Sequence, residues 1–236
     1  MSAVSGLLGT ISLAGGYVTM ADSWTLASNA ALQDLTPLSP TSNHQQLMTT
    51  GLLLGAAGSY HCKLPVDAVA GYSVGSLVNP EEWSFFSACE AREVTPLGAV
   101  WRTYVTGLGV SGFECVAYVD ASNPLIVAGT SGTATLTLTT GVYYSVPSIV
   151  SHVGAGVSAD DAQRRIIVRA GAYAVPSAYG GLPLPGLSGA CVLTASAGRT
   201  YSCTVLTTGV TCRVNRRMSQ GDVVVEFVAN GVVTPA

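Results

Sequence analysis

Charge is what this sequence has least of. Asp, Glu, Lys and Arg together make up 10 % of its 236 residues, hydrophobic residues make up 48 %, and Lys63 is its one lysine. A protein that grips nucleic acid by releasing counterions needs clustered cations. The formal net charge of −3 and a pI of about 5.5 argue against that mode of binding. So little charge also means a surface that is either unusually apolar or partly covered by partners. Mean hydropathy is +0.44, yet Gly, Thr, Ser or Pro interrupts every apolar stretch well before the roughly 18 to 20 residues that a spanning helix requires. A membrane protein of the helical kind is therefore not expected. The segment Met1–Thr10 has no Lys or Arg, so it lacks the charged start of a secretory signal, and export by that route is not expected either.

Motifs that carry chemistry are missing as well. His44, His61 and His152 are scattered, with no His-Glu-x-x-His pattern and no cysteine at metal-binding spacing. Gly154-Ala155-Gly156 is not followed by the third glycine and acidic residue of a dinucleotide site, and Gly186-Leu187-Ser188-Gly189 lacks the spacing of a nucleophile elbow. Both read as turns. No catalytic, cofactor-binding or metal-ligating residue is assigned, and the chain is not expected to be an enzyme. Six cysteines (Cys62, Cys89, Cys115, Cys191, Cys203, Cys212) form no Cys-x-x-Cys pair. A chain this long does not depend on disulfides for its core, so mostly buried thiols are expected.

What is present is β signal. Glycine and proline punctuate the chain at short intervals, and the runs between them are rich in Val, Ile, Thr and Tyr. The clearest strand is Thr133 to Thr139, where threonines alternate with Ala134, Leu136 and Leu138 to give one polar and one apolar face. Ile166 to Val168 and Val223 to Val228 follow the turn-forming pairs Asp160-Asp161 and Gly221-Asp222 and read as the returning arms of hairpins. Two segments have helical character locally: Asn79-Pro80-Glu81-Glu82, and the spacing of Trp24, Ala27, Ala31 and Leu35.

Self-comparison is more informative than propensity. Trp24, Asp34, Thr36, Pro37 and Leu38 reappear as Trp83, Glu93, Thr95, Pro96 and Leu97, each shifted by 59 positions. Cys62, Val66, Asp67 and Ala68 reappear as Cys115, Val119, Asp120 and Ala121, shifted by 53. In a second series, Gly129, Ser131, Gly132, Leu136, Thr137, Gly141, Tyr144 and Ser145 match Gly186, Ser188, Gly189, Leu193, Thr194, Gly198, Tyr201 and Ser202, all shifted by 57. The copies run first half, first half, second half, second half, which is the order left when one domain is inserted within another. The expected organisation is an inner domain over residues 79–176 nested in an outer domain made of 11–78 plus 177–236, since insertion is tolerated where a domain's termini lie close together.

The residues that follow one another along the chain, Gly15-Gly16-Tyr17-Val18, Trp24-Thr25-Leu26, Asp34-Leu35-Thr36, Trp101-Arg102-Thr103-Tyr104, Gly107-Leu108 and Gly112-Phe113-Glu114-Cys115 leading to Asp120, with a closing strand Val223 to Gly231, resemble the tail tube, or major tail, proteins of long-tailed bacteriophages and the tube proteins of contractile injection systems. The resemblance lies in pattern and spans roughly Gly15 to Gly231. It implies a mainly β fold of two related tube-like β-sandwich or half-barrel domains with at most short helices, contributing strands to an oligomeric barrel. It also implies strands rather than helices at Trp24 and Trp83, because tertiary pairing overrides weak local preference.

Six tube domains usually make one ring, so two per chain imply a homotrimeric, pseudo-hexameric ring that stacks into a tube in the virion tail and is assembled in the host cytoplasm. The partners implied are further copies of the chain, the tape-measure protein and DNA in the lumen, and the tail terminator and distal tail proteins, with no membrane. Candidate contacts between rings are Pro37, Leu38, Asn43, His44, Gln45 and Met48 in the loop from Pro37 to Thr50, with the arm Met1–Leu13 and the tail Val232–Ala236 beside them. Asp22, Asp34, Glu81, Glu82, Glu90, Glu93 and Glu114 are available to repel phosphate weakly from a channel wall. Arg164-Arg165 and Arg216-Arg217 read as solvated or subunit-bridging pairs. The alternatives are another virion ring protein (tail terminator, distal tail or capsid decoration) and, less favoured, a carbohydrate-binding β-sandwich, against which the scarcity of exposed aromatic clusters argues.

Overall fold

A computed structural model of the chain describes residues 10–12, 18–30, 33–34, 47–48, 54–67, 71–73, 80–118, 126–157, 164–196, 199–215 and 220–236. These residues form a mainly β fold and include no helix. The strands are β1 (Thr10–Ser12), β2 (Val18–Ala30), β3 (Gln33–Asp34), β4 (Leu47–Met48), β5 (Leu54–Pro65), β6 (Gly71–Ser73), β7 (Pro80–Glu93), β8 (Tyr104–Tyr118), β9 (Ser131–Thr139), β10 (Val142–Val157), β11 (Arg164–Ala172), β12 (Ser177–Ala178), β13 (Ser188–Ser196), β14 (Arg199–Asn215) and β15 (Gln220–Pro235). The described parts of both segments with local helical character, Trp24 to Ala30 and Pro80 to Glu82, are strand, in β2 and β7, because the backbone of each pairs with a neighbouring strand.

Thirteen strands make one antiparallel sheet, ordered β1-β2-β5-β15-β14-β7-β8-β11-β10-β9-β6, with β13 beside β14 and β12 beside β10; β3 and β4 pair separately. The order contains the same sequence of neighbours twice. One set runs β2-β5-β15-β14-β13, the other β7-β8-β11-β10-β9, and the only junction between them in the path is β14 against β7.

The likeness extends to register. In the first set Trp24 lies opposite Tyr60, Tyr60 opposite Val225 and Val225 opposite Val210. In the second, Trp83 lies opposite Cys115, Cys115 opposite Val168 and Val168 opposite Val153. Individual hydrogen bonds recur at the 57-residue shift. Gly129 N donates to Val150 O at 2.8 Å, as Gly186 N does to Thr207 O; Val150 N donates to Thr130 O at 2.9 Å, as Thr207 N does to Leu187 O; and Tyr179 N to Tyr143 O matches Ala236 N to Thr200 O, both 2.9 Å. Bulges recur too, at Val142/Tyr143 and at Thr194/Ser196.

The register corrects one of the matched blocks. The residue that stands where Cys115 stands is Tyr60, a shift of 55, and not Cys62. Side chains alternate faces with period two, so shifts of 53 and 55 leave the same residues inward, and only the ladder distinguishes them.

Each set curls so that strands distant in the order meet across the core. Phe85 of β7 stacks on Tyr144 of β10 with ring centroids 4.3 Å apart, although β8 and β11 lie between them in the sheet; Trp24 of β2 meets Tyr201 of β14 edge-on at 6.2 Å in the other set. A single core draws on both sets, among them Tyr60, Phe85, Phe113, Leu136, Val210 and Phe227. The alternation in Thr133–Thr139 appears as expected, with Ala134, Leu136 and Leu138 fully buried. Burying side chains of this size contributes about 1.5 to 3 kcal/mol each.

One local expectation is overturned. Gly221 and Asp222 are not a turn; they lie inside β15 and pair with Leu64 and Lys63 of β5. The tail 232–236 continues β15 along β14, with Pro235 opposite Tyr201 and Ala236 exchanging two hydrogen bonds with Thr200.

Candidate assembly interface

The junction of β14 and β7 shows what an edge-to-edge contact in this fold looks like. Gly209 to Asn215 pairs antiparallel with Glu82 to Ala88. Trp83 and Val214, directly opposite each other, are both buried, as are Phe85 and Cys212 one step further in the same face. Asn215 Nδ2 donates to Glu82 Oε1 at 2.7 Å at the end of the seam. Beside it the Ser87 and Ser111 hydroxyls hydrogen-bond each other at 2.7 Å in a buried setting. Such a seam joins backbone ladder and core together.

The opposite face of the same strands is open and forms a hollow lined by Ser84, Phe86, Glu114, Arg169 and Arg213 among others. A row of directly opposed residues crosses six strands of it: Lys63, Asp222, Arg213, Ser84, Glu114 and Arg169. Signs alternate along the row, and the Arg169 Nε donates to Glu114 Oε2. His61 sits between two carboxylates, with Nδ1 3.5 Å from Asp22 and Nε2 3.3 Å from Asp222. Phe86 lies half-exposed on this face across Gly112, where a Cβ would come within 2.7 Å of its ring and 2.8 Å of the Ala170 carbonyl. Only glycine admits that approach.

Of the acidic residues considered for a channel wall, Asp22, Glu82, Glu90 and Glu114 all meet a basic or amide partner: His61, Asn215, Arg92 and Arg169. Glu93 pairs with Arg102 at 3.5 Å and accepts from Thr95 Oγ1. Glu81 is half-buried beside the irregularity at Pro80/Glu82, and Asp34 is described in its backbone alone, opposite Leu47. The contact candidates Pro37, Leu38, Asn43, His44 and Gln45 lie outside the described residues, as do Asp160-Asp161 and Arg216-Arg217; Met48 is placed by its backbone opposite Gln33. The alternating row could not be found in the sequence, since its members come from six strands and no two are neighbours in the chain.

Two strand margins remain open among the described residues. On the side away from β5, β2 pairs with β1 through Val18 to Met20 only, leaving Trp24 to Asn29 uncovered. On the side away from β11, β10 pairs with β9 through Val142 to Ile149, leaving His152 to Val157 uncovered. Neither stretch contains a proline or a charged residue, the devices by which solvent-facing edges are normally blunted.

Large apolar side chains are exposed near one margin of the second set: Leu108, Val110, Tyr173 and Val175. In the first set part of the corresponding margin is covered, because Leu54 exchanges hydrogen bonds with Val100 and Arg102, and Asn230 does so with Tyr104, while Val232, the counterpart of Val175, stays exposed. Among the described residues no helix is long and apolar enough to cross a membrane, and no cluster of three His, Cys, Asp or Glu side chains is placed to hold a metal ion. No family model, curated protein or solved structure matches this chain.

Proposed function

We propose that the chain is a structural virion protein whose copies form stacked rings of a phage tail tube that conducts DNA during ejection. The observation that carries this reading is the repeated strand set joined edge to edge through β14 and β7 into one continuous sheet. A unit that already joins two copies of its own architecture by strand pairing is suited to extend that pairing, and closure into a barrel removes the edges that would otherwise template uncontrolled association. Residues 79–176 act as the inner repeat, and 11–78 plus 177–236 as the outer one. Three chains supply six repeats, and heterologous contacts close into a ring where the rotation permits.

The concave open face lines the lumen in this reading. Its cations stand opposite anions or a serine along the row from Lys63 to Arg169, so no cluster of like cations is offered to hold phosphate as the polymer slides. The tape-measure protein occupies the same lumen before DNA, the terminator and distal tail proteins cap the ends, and the residues 37–48 mediate ring stacking.

Negative-stain microscopy of the purified protein tests the reading. Hollow tubes of stacked rings are expected. Isolated rings that attach to capsids point instead to another virion ring protein, and dispersed monomers at high concentration contradict assembly altogether.

A further inference from the structure

We propose that the uncovered margin of β2, Trp24 to Asn29, pairs antiparallel with the uncovered margin of β10, His152 to Val157, of the next copy, in a register set by the β7–β14 seam within each chain. This rests on the ring-forming reading and specifies its interface.

The two sets correspond strand by strand. β2 stands to its set as β7 does to the other, with Trp24 in the place of Trp83; β10 stands as β14 does, with Val153 in the place of Val210. Within the chain, Val214 faces Trp83, Thr211 faces Phe86 and Val210 faces Ser87. Carrying both shifts through, Val157 faces Trp24 of the neighbour, Gly154 faces Ala27 and Val153 faces Ser28. The two margins left open are therefore the two halves of a second copy of the seam the chain already makes.

Two further features agree. Both margins lack edge-blocking residues. The bare apolar margin at Leu108, Val110, Tyr173 and Val175 lies in the set that ends at β10, on the side where Leu54 and Asn230 of the first set bond the chain's own second set. A second copy supplies the missing neighbour there. Because the contact joins two different surfaces, it propagates in one direction and is not a twofold dimer.

Disulfide trapping tests the register. Single variants Ala27→Cys and Gly154→Cys are mixed, assembled and oxidised, then separated without reductant. A covalent dimer containing one of each is expected, with neither variant linking to itself, and the double variant is expected to give closed covalent trimers. Thr25→Cys mixed with His152→Cys, staggered by four residues or roughly 13 Å along the strand, is expected not to link. Linking in the staggered pair, or of Ala27→Cys with itself, overturns the inference. Hydrogen exchange on the unaltered protein gives a second readout: slowed exchange at 24–29 and 152–157 on assembly supports it, and unchanged exchange there in assembled particles overturns it. The trapped bond in particles that never stack upholds this interface and removes the tube reading; tubes without the bond do the reverse.

Discussion

Trp83 lies directly opposite Val214 across the seam between β7 and β14, and both side chains are almost completely buried. Its counterpart in the other set, Trp24, is only partly covered, touching Tyr201 edge-on and donating from Nε1 to the Thr194 carbonyl at 3.3 Å. One chain thus holds a completed and an uncompleted version of the same position, which makes the pair a direct probe of assembly.

Trp83→Ala is expected to destabilise the isolated chain by about 3 to 5 kcal/mol, the usual cost of emptying a large buried site. Trp24→Ala is expected to cost clearly less in the isolated chain and to weaken assembly instead. Urea denaturation of dilute protein, together with sedimentation at assembling concentration, separates the two effects.

The Ser87 and Ser111 hydroxyls satisfy each other next to the seam. Ser87→Ala strands a buried hydroxyl and is expected to cost about 1 to 3 kcal/mol, whereas the double change Ser87→Ala with Ser111→Ala restores part of the loss. A double-mutant cycle by chemical denaturation reads the coupling.

Gly112 supports Phe86 on the concave face. Gly112→Ala places a methyl against the ring and the Ala170 carbonyl, and about 1 to 3 kcal/mol of destabilisation is expected from the resulting overpacking. Thermal unfolding checks it, with Gly156→Ala, whose added methyl meets none of the described residues within 4 Å, as the comparison expected to change little.

Five of the six thiols are buried, and Cys89 is the half-exposed one. Native-state alkylation followed by mass measurement is expected to modify Cys89 first and the other five only on unfolding. Burial is the main cause that pushes the Cys115 and Cys212 thiols well above their ordinary value of 9.0, with Glu114 adding to it at Cys115 and Cys62 and Asp222 at Cys212. A raised native value means the unfolded chain loses these protons first as pH climbs. The stability they contribute is therefore complete below about pH 9 and declines above it. Replacing both by alanine is expected to flatten the alkaline fall in melting temperature relative to the parent chain, whatever it does to the absolute value.

Much of this fold could be read along the chain because its signals are local or repeated. The Thr133–Thr139 alternation states which face is buried, and the 57-residue repeat anticipates that Gly186 bonds Thr207 as Gly129 bonds Val150. The reading failed where the deciding interaction is between strands. Tyr60, not Cys62, takes the place of Cys115, because a two-residue slide preserves the inward face and leaves no trace in the pattern. Gly221-Asp222 has turn composition yet sits in a ladder, since its neighbours Leu64 and Lys63 are already aligned by the rest of β5. The alternating charges from Lys63 to Arg169 and the two open margins exist only once the strands are ordered side by side.

The central claim is that neighbouring copies complete the sheet that one chain leaves open, and the copy number of a single ring tests it most directly. Mass measurement of isolated rings by native mass spectrometry is predicted to give three times the 24.0 kDa chain mass, with six lobes per ring in class averages. A ring of six chains, or a protein that stays monomeric at concentrations where tubes should form, would contradict it.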